Sequence, residues 1–228
     1  MANTQTSVPA FTAGQVLTAQ QQTEIKTGIP VFATTTTRDA AFGGTGEKVL
    51  AEGQFAYIEA NNQTQYYDGT SWKALGGKVA QIVSTTKTDT FTTTSSTFVD
   101  ITGLSLSITP SATSSTILVI GKVQGSNATT SEGGYIRLVR DTTAIAVGTS
   151  TGSRTPVTSQ FWVNNTYMSE DVSWVFLDSP ATTSATTYKI QTRLSAAGTV
   201  VINRPGIDDD ASYTGRGISN ITALEILA

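Results

Sequence analysis

The chain has 228 residues, a formal net charge of −3, no cysteine and no histidine. Without these two residue types it can form no disulfide, no thiolate or imidazole metal site, and neither a Ser/His/Asp nor a Cys/His nucleophilic system. The acidic balance, without a cluster of Lys and Arg, gives no electrostatic reason to expect nucleic acid as a partner. No segment approaches the roughly 20 apolar residues that span a bilayer, so we expect no membrane insertion.

The composition favours an all-β protein. Apolar residues make up 38% of the chain, which is enough for a packed core, while charged residues make up only 14%. The abundant Thr favours strands, and the 20 Gly and 6 Pro supply turns. The first residues, MANTQTSVPAFTAGQ, lack the basic and apolar regions of a signal peptide, so we expect a soluble chain without a secretion signal.

Residues 1–27 predict an arm and a short helix. The first 14 residues are polar and follow neither a helical nor a strand period, which is typical of an arm that becomes ordered only on a partner. A helix is then expected over about residues 19–27, because Thr18 and Gln21 fit a capping box and Gly28 fits the position after a helix. So short a helix is not stable by itself, and we expect it to dock on another surface.

Residues 28–77, here called the N-terminal module, predict a small β attachment module made of a few short strands. Two of them, FAYIEA and QYYDG, are expected to form a hairpin across Asn61-Asn62. Asp68-Gly69 then supplies a tight turn that brings Trp72 back onto the module. Tyr67 and Trp72 are interpreted as core residues of this module, with stacking on a ligand as the alternative.

Gly76-Gly77 marks a domain boundary, and residues 78–228, here called the head domain, predict about ten strands and no helix. In two segments the alternation between apolar and polar residues is clean in places, as in strands that have one buried face and one wet face. The predicted inward-facing side chains are Val99, Ile101, Leu104, Leu106 and Ile108 in the first segment and Tyr188, Ile190, Thr192 and Leu194 in the second. The pattern indicates a jelly-roll β-sandwich.

Four other segments of the head domain carry apolar residues on both faces: TILVIGKV, GYIRLVRD, DVSWVFL and ITALEIL. Strands of this kind need cover on both sides. A monomeric sandwich would leave the second face in water, whereas a closed ring of identical copies would bury it without growing into a fibre. The sequence therefore predicts self-association of the head domain.

The chain resembles a family of virus proteins in several places. The stretches GIPVFATTTTRDAAF and GQFAYIEANNQTQYYDGTSWKAL resemble the short N-terminal modules of tailed-bacteriophage virion proteins, in which a strand precedes a hairpin that ends in a Tyr-Asp-Gly-Thr turn and a Trp. Four stretches of the head domain resemble the jelly-roll heads of phage fibre proteins: FVDITGLSLSITPSATSSTILVIGKV, YIRLVRDTTAIAVGTS, LDSPATTSATTYKIQTRL and GRGISNITALEILA. The likeness covers roughly residues 28–228.

The resemblance implies a virion structural protein that is assembled in the host cytoplasm and is typically a homotrimer, as are similar heads in tumour-necrosis-factor-like and C1q-like proteins. The N-terminal part would contact other virion proteins of the tail or capsid, and the head domain would bind a host cell-surface glycan or protein. No long shaft separates the two parts. This absence favours a short tail fibre or tail-tip protein, with a capsid (head) fibre or decoration protein as the alternative.

Four residues of predicted loops or their borders are candidates for ligand binding: Tyr213, Arg204, Arg154 and Trp162. Hydroxyl-rich loops with an aromatic and an arginine can hydrogen-bond to sugars and stack on them, and loops at one end of a sandwich often carry recognition. The alternatives are packing in the core or between subunits for Trp162, and surface or trimer ion pairs for the two arginines.

No cofactor and no catalysis are expected. Paired carboxylates could in principle cleave a glycan, but the acidic pairs lie in predicted loops and not in a groove. The run Asp208–Asp210 offers hard oxygen ligands for Ca²⁺, yet three successive side chains cannot all point at one ion, so a solvated acidic loop is the favoured interpretation. A non-viral trimeric lectin or adhesin is a further alternative.

Overall fold

A computed structural model describes residues 13–16, 18, 28–44 and 48–228. The chain divides into two compact units, residues 1–77 and 78–228. The predicted helix over residues 19–27, and residues 1–12 of the predicted arm, lie outside the described residues. Among the described residues, no helix has the length and apolar character needed to cross a membrane.

The described part of the first unit is a small four-stranded sheet with one short helix. Its elements are β1 (Val31–Phe32), α1 (Thr35–Asp39), β2 (Phe55–Ile58), a 3-10 turn (Glu59–Asn61), β3 (Gln63–Tyr67) and β4 (Trp72–Ala74). The strand order is β1-β2-β3-β4; the first pair is parallel and the other two are antiparallel. The core of the N-terminal module consists of Phe32, Ala41, Ala56 and Ile58, with Phe42 and Trp72 packed against it.

The helix α1 was not expected, because the sequence predicts only strands in this module. Thr34 and Thr37 form a reciprocal capping box: the Thr37 N–H donates to Thr34 Oγ1 at 3.2 Å, and the Thr34 N–H donates to Thr37 Oγ1 at 3.0 Å. These bonds satisfy backbone donors that a strand would place in its ladder. Local capping thereby outweighs the strand propensity of the Thr run.

The predicted hairpin and its following turn are confirmed. β2 and β3 pair antiparallel with Phe55 opposite Tyr66, and Tyr67 lies opposite Trp72 in the next pair. The side chain of Asp68 closes the second turn, since its Oδ1 accepts the N–H groups of Thr70 and Ser71 at 2.9 and 2.7 Å. Asp favours this kind of turn because its side chain can bond the backbone two residues ahead.

Residues 78–228, all of which the structure describes, form eleven strands. They are β5 (Val79–Lys87), β6 (Phe91–Thr93), β7 (Val99–Ile108), β8 (Thr116–Asn127), β9 (Glu132–Arg140), β10 (Thr143–Ile145), β11 (Ser159–Val163), β12 (Glu170–Asp178), β13 (Thr186–Leu194), β14 (Val200–Ile202) and β15 (Ser219–Ile226).

The eleven strands form two antiparallel sheets. In sheet I the order is β5-β15-β8-β12, with β14 and β6 along the end of β8. In sheet II the order is β7-β13-β9-β11, with β10 also paired to β9. Successive strands in the chain mostly alternate between the two sheets, as they do in a jelly roll. The predicted fold class, an all-β protein with a jelly-roll sandwich, is confirmed.

The core of the head domain lies between the two sheets and has the predicted alternation. In β13, Tyr188, Ile190 and Thr192 are fully buried, whereas the residues between them are partly exposed. In β7, Ile101, Leu104, Leu106 and Ile108 are buried as predicted, and the inward parity changes between Ile101 and Leu104. Gly103 lies at this point with a φ of +80°, a conformation that glycine adopts without strain.

Candidate functional site

Two loops of the head domain pack against each other and form an exposed aromatic surface. One is the segment 164–169 between β11 and β12, and the other is the segment 203–218 between β14 and β15. The backbone N–H of Ile207 donates to the carbonyl of Thr166 at 3.1 Å, which joins the two loops directly. The predicted ligand residues Tyr213 and Arg204 both belong to the longer loop.

Tyr213 stacks edge-to-face on Tyr167, with ring centroids 5.7 Å apart and an interplanar angle of 71°. The pair is exposed to solvent: 69% of Tyr213 and 43% of Tyr167 are accessible, and the neighbouring Met168 is 51% accessible. Edge-to-face packing is the favoured geometry of two aromatic rings, so the pair presents a fixed apolar surface with two hydroxyl groups.

The acidic run Asp208–Asp210 contains a carboxylate that raises the pKa of the Tyr167 phenol. The carboxylate of Asp209 is the main cause that raises the pKa of Tyr167, and Tyr213, desolvation and a hydrogen bond to Asp209 add to it. The phenol of Tyr167 therefore stays protonated at neutral pH and acts as a hydrogen-bond donor. The tyrosine pair and the acidic run thus form one cluster, here called the tyrosine cluster: Tyr167, Met168, Asp209 and Tyr213.

Arg204 lies beside this cluster, but its side chain turns back onto its own loop. Its Nη1 donates to the carbonyl oxygens of Pro205 and Gly206 at 2.9 and 3.3 Å, and its Nε lies 3.5 Å from Asp208. The side chain is only 15% exposed. Arg204 therefore shapes the loop, whereas Arg216, which pairs with Asp208 at 2.5 Å, is 59% exposed and presents a charge to solvent.

The other two predicted ligand residues lie elsewhere. Trp162 is on β11 and is 46% exposed; its backbone N–H donates to Glu170 at 3.0 Å, at the border of the segment 164–169. Arg154 belongs to the segment 146–158, which is held through Thr155 by a 2.6 Å hydrogen bond from Arg193. None of the contacts described between the two loops of the tyrosine cluster involves Arg154.

Two carboxylates of the acidic run Asp208–Asp210 interact with other side chains of the head domain. Asp208 pairs with two arginines, and Asp209 interacts with Tyr167. Within the described ranges, no three acidic side chains are grouped as ligands of a metal ion would be. The geometry thus assigns two of the three carboxylates to contacts within the loops.

A second exposed surface is apolar and lies on the outer side of sheet I. Residues directly opposite each other on paired strands point to the same face. One row crosses the four long strands of this sheet and is apolar throughout: Ile82, Leu224, Leu118 and Leu177. In the next row, Ile120 lies opposite Val175, beside the hydroxyl side chains of Thr222 and Ser84.

The six residues Ile82, Leu118, Ile120, Val175, Leu177 and Leu224 are here called the outer apolar face. Val175 is 67% exposed, Ile82 63% and Leu177 56%. Lys122 and Asp171 are charged residues at outward positions of β8 and β12, and they pair with each other at 2.9 Å. Apolar side chains in three of the segments predicted to need cover on both sides, TILVIGKV, DVSWVFL and ITALEIL, thus lie on one surface.

The sequence indicated Tyr213 and the acidic run as features of interest, but it did not indicate Tyr167 or Met168. Tyr167 and Met168 lie in NNTYMS, a segment with the composition of a surface loop, but nothing in the sequence shows that it packs against residues 203–218. The contact joins positions about 40 residues apart through an irregular backbone. An exposed Tyr-Met pair in a loop was the available signal.

No family model and no curated protein matches the chain. A solved structure of infectious bursal disease virus, strain Gt, is 12% identical over 80% of this chain and 53% of its own, with a TM-score of 0.33. The Gx strain gives 15% identity, 71% and 45% coverage and a TM-score of 0.31. Dimeric latent PorU from Porphyromonas gingivalis gives 9% identity, 81% and 19% coverage and a TM-score of 0.29. The chain spans about half the length of the two viral structures, and similarity at this level carries no argument about function.

Proposed function

We propose that the protein is a virion structural protein of a tailed bacteriophage, and more specifically a short tail fibre or tail-tip protein. Its N-terminal part attaches to other virion proteins, and its head domain forms a homotrimer that binds a host cell-surface glycan or protein. The motifs that resemble phage fibre proteins support this assignment. The observation that carries it is the outer apolar face, an extended hydrophobic surface on an otherwise hydroxyl-rich sandwich.

Copies of the same chain are the partner that this face fits. The face has six aliphatic side chains, and the charges of Lys122 and Asp171 beside it neutralise each other, so a neighbouring copy can pack on it without meeting an unpaired charge. Full burial of an aliphatic side chain of this size contributes about 1.5–3 kcal/mol, and half or more of Val175, Ile82 and Leu177 is exposed in the single chain. A closed ring covers these faces and leaves no open face to which further copies could add.

Binding in this proposal is multivalent. Each head domain presents one tyrosine cluster, and a trimer would present three on a rigid frame. Three individually weak sites that act at once bind with a much higher effective affinity than one. The function of the protein in this proposal is attachment, without a chemical reaction on the receptor.

The experiment that tests this function locates the protein on the particle and blocks its action. Antibodies against the head domain are imaged on purified particles by immunogold electron microscopy, and the purified wild-type chain competes with particles for adsorption to host cells. We expect label at the tail tip and reduced adsorption. A Tyr213→Ala chain should compete less well. The control Tyr66→Ala, which deletes a tyrosine side chain in the N-terminal module, should compete as the wild type does.

Label on the capsid surface would favour the capsid fibre or decoration protein over the tail protein. That alternative keeps the trimeric head domain but gives it a structural task. Absence of label from particles, together with no saturable binding of the purified chain to host cells, would contradict both assignments.

A further inference from the structure

The N-terminal module contains a cleft that the proposed attachment role does not explain. Its volume is about 600 Å³, within the range of small-molecule sites in proteins. The side chains that line it and matter here are Arg38, Asp39, Gln65, Tyr67, Thr70 and Trp72. All of them belong to α1, β3, β4 and the turn between these two strands.

The centre of the lining is a buried, fixed guanidinium group. Arg38 is only 6% exposed, and its Cζ lies 4.6 Å above the ring of Trp72. It donates to Gln65 Oε1 through Nη1, and to Asp39 Oδ1 through Nε and Nη2 at 2.8 and 2.6 Å. A guanidinium group has five N–H donors, so the described hydrogen bonds leave two of them for a ligand.

The charge of Arg38 is compensated inside the cleft. Asp39 pairs with it at 2.6 Å and is itself largely exposed, so its second carboxylate oxygen is open to solvent. Arg38 and Asp39 are the two charged residues of the lining. A cleft that holds one charge of each sign in contact does not select an anion, and it offers N–H donors next to a carboxylate acceptor.

The remaining walls are aromatic and hydroxylic. The rings of Tyr67 and Trp72 lie with centroids 5.6 Å apart and an interplanar angle of 57°. Thr70 and Ser71 add hydroxyl groups at the rim, and Leu50 is the single aliphatic residue of the lining. This lining is unsuited to an aliphatic anchor of a partner protein, because such an anchor would leave the remaining N–H donors of Arg38 without an acceptor.

We propose that this cleft is a binding site for a neutral saccharide. Sugar hydroxyl groups both donate and accept hydrogen bonds, and thus match a lining that has guanidinium donors, a carboxylate acceptor and hydroxyls side by side. The apolar C–H faces of a sugar ring pack on aromatic rings such as Tyr67. The buried Arg38 is held in place before the ligand arrives, which lowers the entropic cost of binding.

The site is tested on the full chain by saturation-transfer-difference NMR. The probes are glucose, galactose, mannose, N-acetylglucosamine, lactose and cellobiose at millimolar concentrations, with glucuronate as the anionic comparator. We expect saturation transfer to at least one neutral sugar, and a dissociation constant raised at least fivefold by Asp39→Asn and by Tyr67→Leu. Asp39→Asn removes the counter-ion of the buried Arg38, so circular dichroism must show that each variant is folded at the temperature of the binding measurement.

The matched control is Tyr57→Leu, which removes a tyrosine of β2 outside the lining, where its hydroxyl hydrogen-bonds to Asn62. It should bind the same sugar as tightly as the wild type does. The proposal is overturned if no neutral sugar receives saturation, if glucuronate alone does, or if Tyr57→Leu weakens binding as much as Tyr67→Leu. None of these outcomes depends on where the protein lies on a particle, so the inference stands or falls apart from the proposed attachment role.

Discussion

Glu225 is a fully buried carboxylate that should stabilise the head domain in a pH-dependent way. It lies on β15 and is 0% exposed. Its Oε1 accepts the backbone N–H of Ser111 at 2.7 Å and the Ser111 hydroxyl at 2.6 Å, and its Oε2 accepts the amide of Gln81 at 2.6 Å. These bonds tie β15 to β5 and to the loop after β7.

The contribution of Glu225 to the free energy of unfolding can be calculated from the shift of its pKa. Burial by itself would raise the pKa of Glu225, but the hydrogen bonds from Ser111 and Gln81 outweigh it and lower the pKa from 4.5 to about 2. A carboxyl group with a depressed pKa stabilises the folded state above its unfolded pKa, and this stability is lost as the pH falls towards the folded value. The shift corresponds to about 3 kcal/mol at pH 7, of which about 2 kcal/mol is lost by pH 3.

Urea unfolding of the wild type and of Glu225→Gln, followed by tryptophan fluorescence at one protein concentration, measures this contribution. We expect the variant to be less stable at pH 7, and the difference between the two proteins to shrink by about 2 kcal/mol at pH 3. Asp210→Asn, which removes a carboxyl group from an exposed loop of the same domain, is the control. A difference between wild type and Glu225→Gln that stays constant from pH 7 to pH 3 would show that ionised Glu225 does not stabilise the folded head domain.

Two further predictions concern the core of the head domain. Tyr188→Phe should lower the free energy of unfolding by about 1.5–3 kcal/mol, because the Tyr188 hydroxyl donates to the buried carboxylate of Asp178 at 2.6 Å; a urea midpoint equal to that of the wild type would contradict this. Gly121→Ala should lower it by about 1–3 kcal/mol, because a Cβ there would overlap the indole of Trp174. Its control is Gly148→Ala, where a Cβ meets open space and thermal denaturation should show little change.

The sandwich could be predicted because its strands obey a local rule. In β13, the alternation of Tyr188, Ile190 and Thr192 with polar residues fixes which face is buried, since a strand has a period of two. The parity change in β7 is also visible in the sequence, where Gly103 separates two apolar series. The helix α1 escaped prediction because a run of Thr favours strands by propensity, and the capping bonds between Thr34 and Thr37 appear only in three dimensions.

The candidate sites could be predicted less well, because they depend on loops. Arg204 has the chemistry of a ligand residue, but its loop directs it to its own backbone and to Asp208. Tyr167 joins Tyr213 only because two loops distant in sequence meet. Arg38 lies in an unpredicted helix, so the cleft above Trp72 could not be inferred from the hairpin alone. The roles of Tyr213, Arg204, Arg154 and Trp162 in ligand binding stay predictions.

The proposed homotrimer requires that copies of the chain cover the outer apolar face. Sedimentation equilibrium of the purified protein at micromolar concentration tests it most directly, with Val175→Asp as a comparator, since Val175 is 67% exposed in the single chain and its substitution leaves the core intact. We expect a wild-type mass three times the chain mass of 23.9 kDa and a folded, largely monomeric variant. A wild-type protein that sediments as a single 23.9 kDa species would contradict the proposed homotrimer.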